Sequence, residues 1–526
     1  MTFAGTGRLL RFFLRTDRVR IGAWVLGVIA LVGFTAASVK GLYPTQADLE
    51  KAAEPLYGNA AIIAFAGPTY GIDTMGGQIV FQIGSFGYAT IGLMAMFLVG
   101  RHTRADEEAG RTELLRATVL GRNAPTTAAL AATTLALAVT GAAITLIMLG
   151  LSLPVAGSIA YGMAMFGFGL FFAAFTLVTA QVTEHTRLAY ALSGVGIGVA
   201  YGLRVIGDIG SGTVSWLSPM GWAMQMRAYA NERWWPFLLL VGGAGLLLAA
   251  AYGLASQRDL GGGLVPPRPG PPRAAPWVTR PAGFALRLQG LALAGWAVGL
   301  AFFAIAYGSV AKDVADLVGD NEDIAKIIAQ GGGSLTDSYF ATSLLTLALI
   351  AGGFTIAAVL RLRSEETSGR AEPILATAVS RPRWAASHLA VAAAGSLVVM
   401  GAIGLAMSIT YGVSIGDFGD VPRLTGAALA YTPALWVLAG VTLALFGLAP
   451  RATAVAWAVL ALCLFIGLFG QLIDLPRWIV DLSPFQHVPA VPADSFRLGP
   501  VAALTAVAAG LCAAGMAGFR HRDAGF

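Results

Sequence analysis

Asp106-Glu107-Glu108-Ala109-Gly110-Arg111-Thr112-Glu113-Leu114-Leu115-Arg116-Ala117-Thr118 is a charged island between two long apolar runs. Its pattern returns without a gap 259 positions later, as Glu365-Glu366-Thr367-Ser368-Gly369-Arg370-Ala371-Glu372-Pro373-Ile374-Leu375-Ala376-Thr377. Each copy is followed by an arginine, Arg122 and Arg381. A hydrophilic segment kept twice in a greasy chain marks a place where something soluble docks, and the runs around it decide the fold.

Those runs dominate the composition. Of the 526 residues 56% are hydrophobic and 12% charged, against about a quarter charged in soluble domains. Stretches such as 237–254 and 501–518 approach the roughly 20 residues that cross a bilayer. A single globule cannot bury so many helices that are apolar all round. The expected fold is therefore an all-α polytopic membrane protein of twelve transmembrane helices, with short amphipathic interfacial helices. The spans are 21–40, 78–100, 126–150, 157–182, 188–207, 235–255, 285–309, 339–360, 386–412, 425–448, 452–473 and 499–519. An even number puts both termini on one side. Placing 1–20, 101–125, 183–187, 256–287, 361–385, 449–451 and 520–526 on one face gathers 24 of the 34 basic residues there and leaves 10 opposite. By the positive-inside rule that face is cytoplasmic.

Arg8, Arg11, Arg15 and Arg18 recur at helical spacing, with Leu9, Leu10, Phe13 and Leu14 largely on the other side. Residues 1–20 thus read as a helix lying on an anionic leaflet, and no small-residue site marks a cleavable signal. Residues 256–284 hold the run Gly261-Gly262-Gly263-Leu264-Val265-Pro266-Pro267-Arg268-Pro269-Gly270-Pro271-Pro272-Arg273, which reads as a cytoplasmic linker. It joins a first six-helix half, 21–255, to a second, 285–519, and 520–526 is a cytoplasmic tail. The halves share more than the island: Leu217-Ser218-Pro219 matches Leu482-Ser483-Pro484, and Trp24 matches Trp296. Each match keeps its order and its side, so the six-helix repeats are parallel. Two opposite loops are long, 41–77 and 310–338. The second carries Asp313, Asp316, Asp320, Glu322 and Asp323 with apolar residues at helical spacing, and Gly331-Gly332-Gly333 as a hinge.

No catalytic constellation appears. There is no Gly-x-x-x-x-Gly-Lys-Ser/Thr phosphate loop. The five histidines are scattered, and Cys463 and Cys512 lack partners at metal spacing, so neither a metal nor a cofactor is expected in this chain, and no nucleic acid as partner. Every Asp and Glu falls in a loop or at a span end, whereas ion-coupled transporters place such groups inside the bilayer. Arg204 and Asp208, at the outer end of the fifth span, are expected to snorkel or pair at the interface. Energy for transport must then enter from outside the chain. On a helix Glu107, Gly110, Arg111, Leu114, Leu115 and Thr118 share one side, as do Glu366, Gly369, Arg370, Pro373, Ile374 and Thr377. Such a strip of apolar contacts ringed by charge suits a groove on a soluble partner. Pro373 requires the second helix to begin near Glu372.

The motif Asp/Glu-Glu-x-x-Gly-Arg-x-Glu-x-x-x-Ala-Thr between the second and third spans follows a basic amphipathic start and precedes four more spans. In this setting it resembles the membrane subunit of type-2 ABC exporters. With two six-span halves fused it is similar to the long permeases of actinobacterial antibiotic and multidrug exporters, the tetronasin-exporter type. The resemblance implies a plasma-membrane permease that exports amphipathic small molecules and is energised by an ABC ATPase, two copies of it, in which ATP and magnesium are bound. It implies ATPase coupling through Glu107, Gly110, Arg111 and Glu113, and through Glu366, Gly369, Arg370 and Glu372. It also puts the substrate pathway along spans two, five, eight and eleven. There Gln78, Gln82 and Ser85, then Tyr339, Thr342, Ser343 and Thr346, then Trp457, Phe465 and Phe469 are candidates to line it. Helix–helix hydrogen bonding for the hydroxyls and lipid contact for the aromatics are the competing readings. The competing functions are a proton-coupled drug transporter and the export of a lipid or other hydrophobic metabolite.

Overall fold

The computed structural model describes residues 2–58, 60–116, 119–259, 261–265, 270, 272–312, 334–469 and 476–522. Among them there is no strand, and 11 helices are long and apolar enough to cross a membrane. In a medium without water, only a helix satisfies every backbone N–H and C=O within one segment. Expected spans one to ten and twelve overlap these 11 helices. The eleventh falls on the shorter Val455–Phe469, and residues 470–475 lie outside the described set. So does most of the second long loop: residues 313–333, with its acidic residues and glycine hinge, are not described.

The chain divides into two compact units, Met1–Gly270 and Pro271–Phe526. In the first, Val155–Val182 packs against Met75–Gly100, Ala124–Gly150 and Pro236–Ser256. The most enclosed helices are the second and fourth, Met75–Gly100 and Val155–Val182. Helix Thr6–Thr16 precedes Arg18–Leu42 and turns Leu9 and Phe13 inward onto Ala124, Ala128 and Ala132. In the second unit Leu335–Thr367 and the stretch Val421–Leu448 are the most enclosed. That stretch is interrupted at Ala430 and Tyr431, just before Pro433, which has no N–H to continue the ladder.

Apolar burial does not drive helices together in lipid, so close backbone approach does more of the work. Helices Thr432–Leu448 and Leu498–His521 meet through Gly440, Gly447, Gly515 and Gly518, and a Cβ at Gly447 would collide with the Gly515 carbonyl. Gly447→Ala is therefore expected to cost about 1–3 kcal/mol by overpacking. Gly510→Ala, where a Cβ meets nothing within 4 Å, is expected to leave the thermal midpoint of the detergent-purified chain unchanged or raised.

Of the two expectations for Arg204, pairing with Asp208 is met and snorkelling is not: its side chain is fully buried inside the first unit. It donates to the carbonyls of Ile63 (2.7 Å) and Ala64 (2.9 Å) and to Ser85 Oγ (2.5 Å), and lies over the Tyr201 ring at 4.6 Å. Asp208 Oδ2 is 3.7 Å away, and its other oxygen accepts from Ser215 Oγ at 2.6 Å. The reason lies in the loop before the second span. The short helix Ala60–Phe65 ends beside Met75–Gly100, leaving C-terminal carbonyls that need donors. The long helix opens to meet it at Gly84 (φ 45°, ψ −140°), where a side chain would strike the Ala66 carbonyl, and Ser85 N–H and Oγ–H both donate to that same oxygen.

Candidate functional site

The first island begins where Met75–Gly100 passes through a π-helical turn, Arg101–Ala105, into Asp106–Glu108. Gly110 (φ 70°) then reverses the chain in the left-handed region that glycine adopts freely, and Arg111–Arg116 follows as a short helix. Glu107 faces inward. Arg258, just past the sixth span, grips it bidentately (Nη1–Oε1 2.7 Å, Nη2–Oε2 2.8 Å), Arg104 Nη1 reaches Oε2 at 3.1 Å, and Gly261 N–H donates to Oε1 at 2.8 Å. Arg258 Nε also holds Gln181 Oε1 at 2.6 Å, and Arg104 holds the Gly261 and Gly262 carbonyls. A charge buried this deeply persists because it is paired and hydrogen-bonded. Glu108 accepts from the Thr186 N–H at 2.9 Å, tying the island to the start of the fifth span.

Asp106 holds the outward group in place: Arg111 Nε is 3.0 Å from its Oδ1 while the Arg111 side chain is 55% exposed. Behind it His102 links Asp106 (3.4 Å) to Asp17 (2.7 Å) at the junction of the first two helices. Arg101 Nε also reaches Asp17 at 2.7 Å, and the Phe13 ring stacks on His102 at 4.0 Å. The amphipathic start is thereby joined to the island. Gly110, Glu113 and Leu114 are at or near the surface; the side chains of Leu115 and Arg116 and all of Ala117 and Thr118 lie outside the described set.

The second island repeats these bonds. Glu366 accepts both Arg522 Nη2 contacts at 2.8 Å and Arg363 Nη1 at 3.3 Å. Glu365 takes Arg361 Nη2 at 2.6 Å and Arg370 Nε at 3.1 Å, and Arg370 is 56% exposed. Gly369 again turns at φ 70°, and Ala371–Leu375 follows with Pro373 in its first turn. Glu372 is exposed and borders a hollow of about 610 Å³ lined also by Leu375, Thr377, Val379 and Arg381. Each island thus presents an anchored arginine outward and keeps a glutamate inside. Of the residues expected to couple, Glu107 and Glu366 point inward, whereas Arg111, Glu113, Arg370 and Glu372 face solvent.

The candidate pathway residues differ in exposure within their own units. Gln78 is buried with its Oε1 lacking a hydrogen-bond partner among the described residues, and Ser85 is committed to Arg204 and Ala66. Gln82 is exposed. Tyr339 donates to the Tyr307 carbonyl, while Thr342 and Thr346 donate to carbonyls one turn back, as hydroxyls in helices commonly do. Ser343 is buried; Trp457 and Phe465 are 44% and 46% exposed; the Phe469 side chain lies outside the described set.

Asp17, Arg104, Arg258, Arg363 and Arg522 are absent from the expected set. For Arg104 and Arg363 the signal was present, since the 259-residue spacing also pairs them with each other. Nothing local marks Arg258 or Arg522 beyond a basic residue after a last span.

Residues 278–520 match the family described as the C-terminal domain of the multidrug efflux system permease Rv1217c. Over 525 residues, 99% of this chain and 95% of the relative, the sequence is 41% identical to the multidrug efflux system permease protein Rv1217c of Mycobacterium tuberculosis. With 11 membrane-length helices, the chain is a multi-pass membrane protein.

Proposed function

This chain belongs to the family of multidrug efflux system permeases represented by Rv1217c, and from that premise we propose that it is the membrane permease subunit of an ATP-binding-cassette exporter of amphipathic small molecules. Twelve spans form two parallel six-helix halves with both termini cytoplasmic, and the islands are the coupling loops on which two ATPase subunits dock. ATP and magnesium belong to those subunits. The observation that carries this reading is the twice-built island: in each unit a left-handed glycine and an acidic anchor hold one arginine out while the neighbouring glutamate is paired inside. A loop kept only for topology needs its arginines but not this construction. Closure of the ATPases would move one half against the other, opening a pathway to which Gln82, Thr342, Trp457 and Phe465 are the exposed candidates.

The experiment is purification of the full chain with its native partners in lipid nanodiscs. An ABC ATPase is expected to accompany it, with drug-stimulated hydrolysis. Arg111→Glu combined with Arg370→Glu is expected to leave membrane insertion intact and to weaken ATPase capture by about tenfold or more, a change of about 1.4 kcal/mol. Capture equal to the native chain would sink the docking claim.

One observation favours the proton-coupled alternative: Asp208 is a carboxylate buried in a spanning helix, the kind of group that a proton-driven carrier titrates. Collapsing the proton gradient at constant ATP stops transport under that reading and leaves it running under ours.

A further inference from the structure

The two glutamates at the heart of the islands are shielded from any partner, with side chains 8% and 2% exposed, so their work is directed into the protein. What they hold is the same in both units: the chain that has just left the last spanning helix. In the first unit Arg258 forks onto Glu107, and the residues after it are fastened too. Gly261 N–H donates to Glu107, Gly263 N–H to Glu184, and Leu264 and Val265 N–H groups to the carbonyls of Gln181 and Val182. In the second unit one nitrogen of Arg522, Nη2, bridges both Glu366 oxygens, its guanidinium lies over Phe446 (4.8 Å) and Phe519 (5.3 Å), and Arg381 donates to its carbonyl.

We infer that the segment following the last span of each half is a clamp on the coupling loop, with Arg258 and Arg522 as positioning residues for the transmission of ATPase movement. The inference rests on the docking reading above. The Arg258 guanidinium, bound through two donors, fixes orientation as well as distance, and the Arg522 guanidinium is oriented by the Phe446 and Phe519 rings against which it lies. Each island is thereby tied to the last span of its half as well as to the span from which it emerges. A push on the outward Arg111 or Arg370 moves both helices together, and the start of the linker is part of the machinery rather than slack chain.

The test uses the full chain in nanodiscs, alone and with the ATPase that accompanies it. Arg258→Ala is expected to raise amide hydrogen exchange in residues 106–116 and 261–265 by about tenfold, the mark of local opening. Arg522→Ala is expected to do the same in residues 365–375. With ATPase present, both are expected to keep basal hydrolysis and lose about tenfold of its drug-stimulated part. Arg258→Lys and Arg522→Lys keep the charge but not the planar guanidinium, and are expected to recover part of both readouts; they carry the test where an alanine variant fails to fold. Unchanged exchange overturns the clamp whether or not an ATPase docks. Raised exchange with normal drug stimulation shows a merely structural contact and overturns the positioning role. The docking claim stands or falls separately, on capture by the Arg111→Glu and Arg370→Glu chain.

Discussion

Arg204→Leu is expected to cost about 3–5 kcal/mol, the range for removing one partner from a buried charged network, and to make the first unit the weak point of the protein. Leucine fills part of the space but donates nothing. The carbonyls of Ile63 and Ala64 lose their charged donor and keep the Gly67 N–H and the Tyr201 hydroxyl, Ser85 Oγ loses one of its contacts, and Asp208 is left as a buried carboxylate without a cation. Arg204→Lys keeps the charge, but one ammonium cannot span two carbonyls and a hydroxyl in the same fork geometry, so most of the loss should remain. Arg204→Leu with Asp208→Asn is expected to recover stability relative to Arg204→Leu alone, because it removes the orphaned charge. Thermal unfolding of the detergent-purified variants measures all three. An Arg204→Leu midpoint matching the native chain would mean that water or lipid headgroups reach this site.

Glu366→Ala is expected to have a comparable effect at the other unit, again about 3–5 kcal/mol locally, and to abolish transport. It leaves Arg363 and Arg522 converging on an empty position, so that repulsion replaces a doubly bonded carboxylate. Glu372→Ala is the paired control. Glu372 is exposed beside the hollow next to the second island, and its loss should change stability by no more than about 0.5 kcal/mol. Any fall in ATPase capture in the Glu372 variant then reports the docking surface itself. Equal stability in the two variants, by thermal unfolding and protease resistance of the second unit, would contradict the internal role of Glu366.

How far the site was legible follows from what kind of information each residue needed. The motif and its repeat were plain because charge stands out in apolar sequence, but the single helix face expected across Glu107, Gly110 and Arg111, and across Glu366, Gly369 and Arg370, is broken in both copies by the left-handed glycine. Pro373 predicted its own helix start, since proline fits only a first turn. The inward direction of Glu107 and Glu366 was not legible. On an isolated helix each falls on the same side as the arginine beside it, and the partners that hold them inward, Arg258 and Arg522, come from the far end of each half. Ser85 was illegible for a related reason: it looks like a pore residue by spacing, and is bonded to an arginine 119 positions away.

What the sequence by itself determined is the class of the molecule and the address of its joints. Apolar runs of bilayer length admit only spanning helices, because no water is present to satisfy a broken backbone, and a charge island kept twice in one register locates the two loops. What only the tertiary structure decided is which charges those loops keep and which they show. The carboxylates of Glu107 and Glu366 find their arginines 151 and 156 residues further along the chain, and pairing over that distance is set by where the last span, packed on the fourth, delivers its end, which no local spacing encodes.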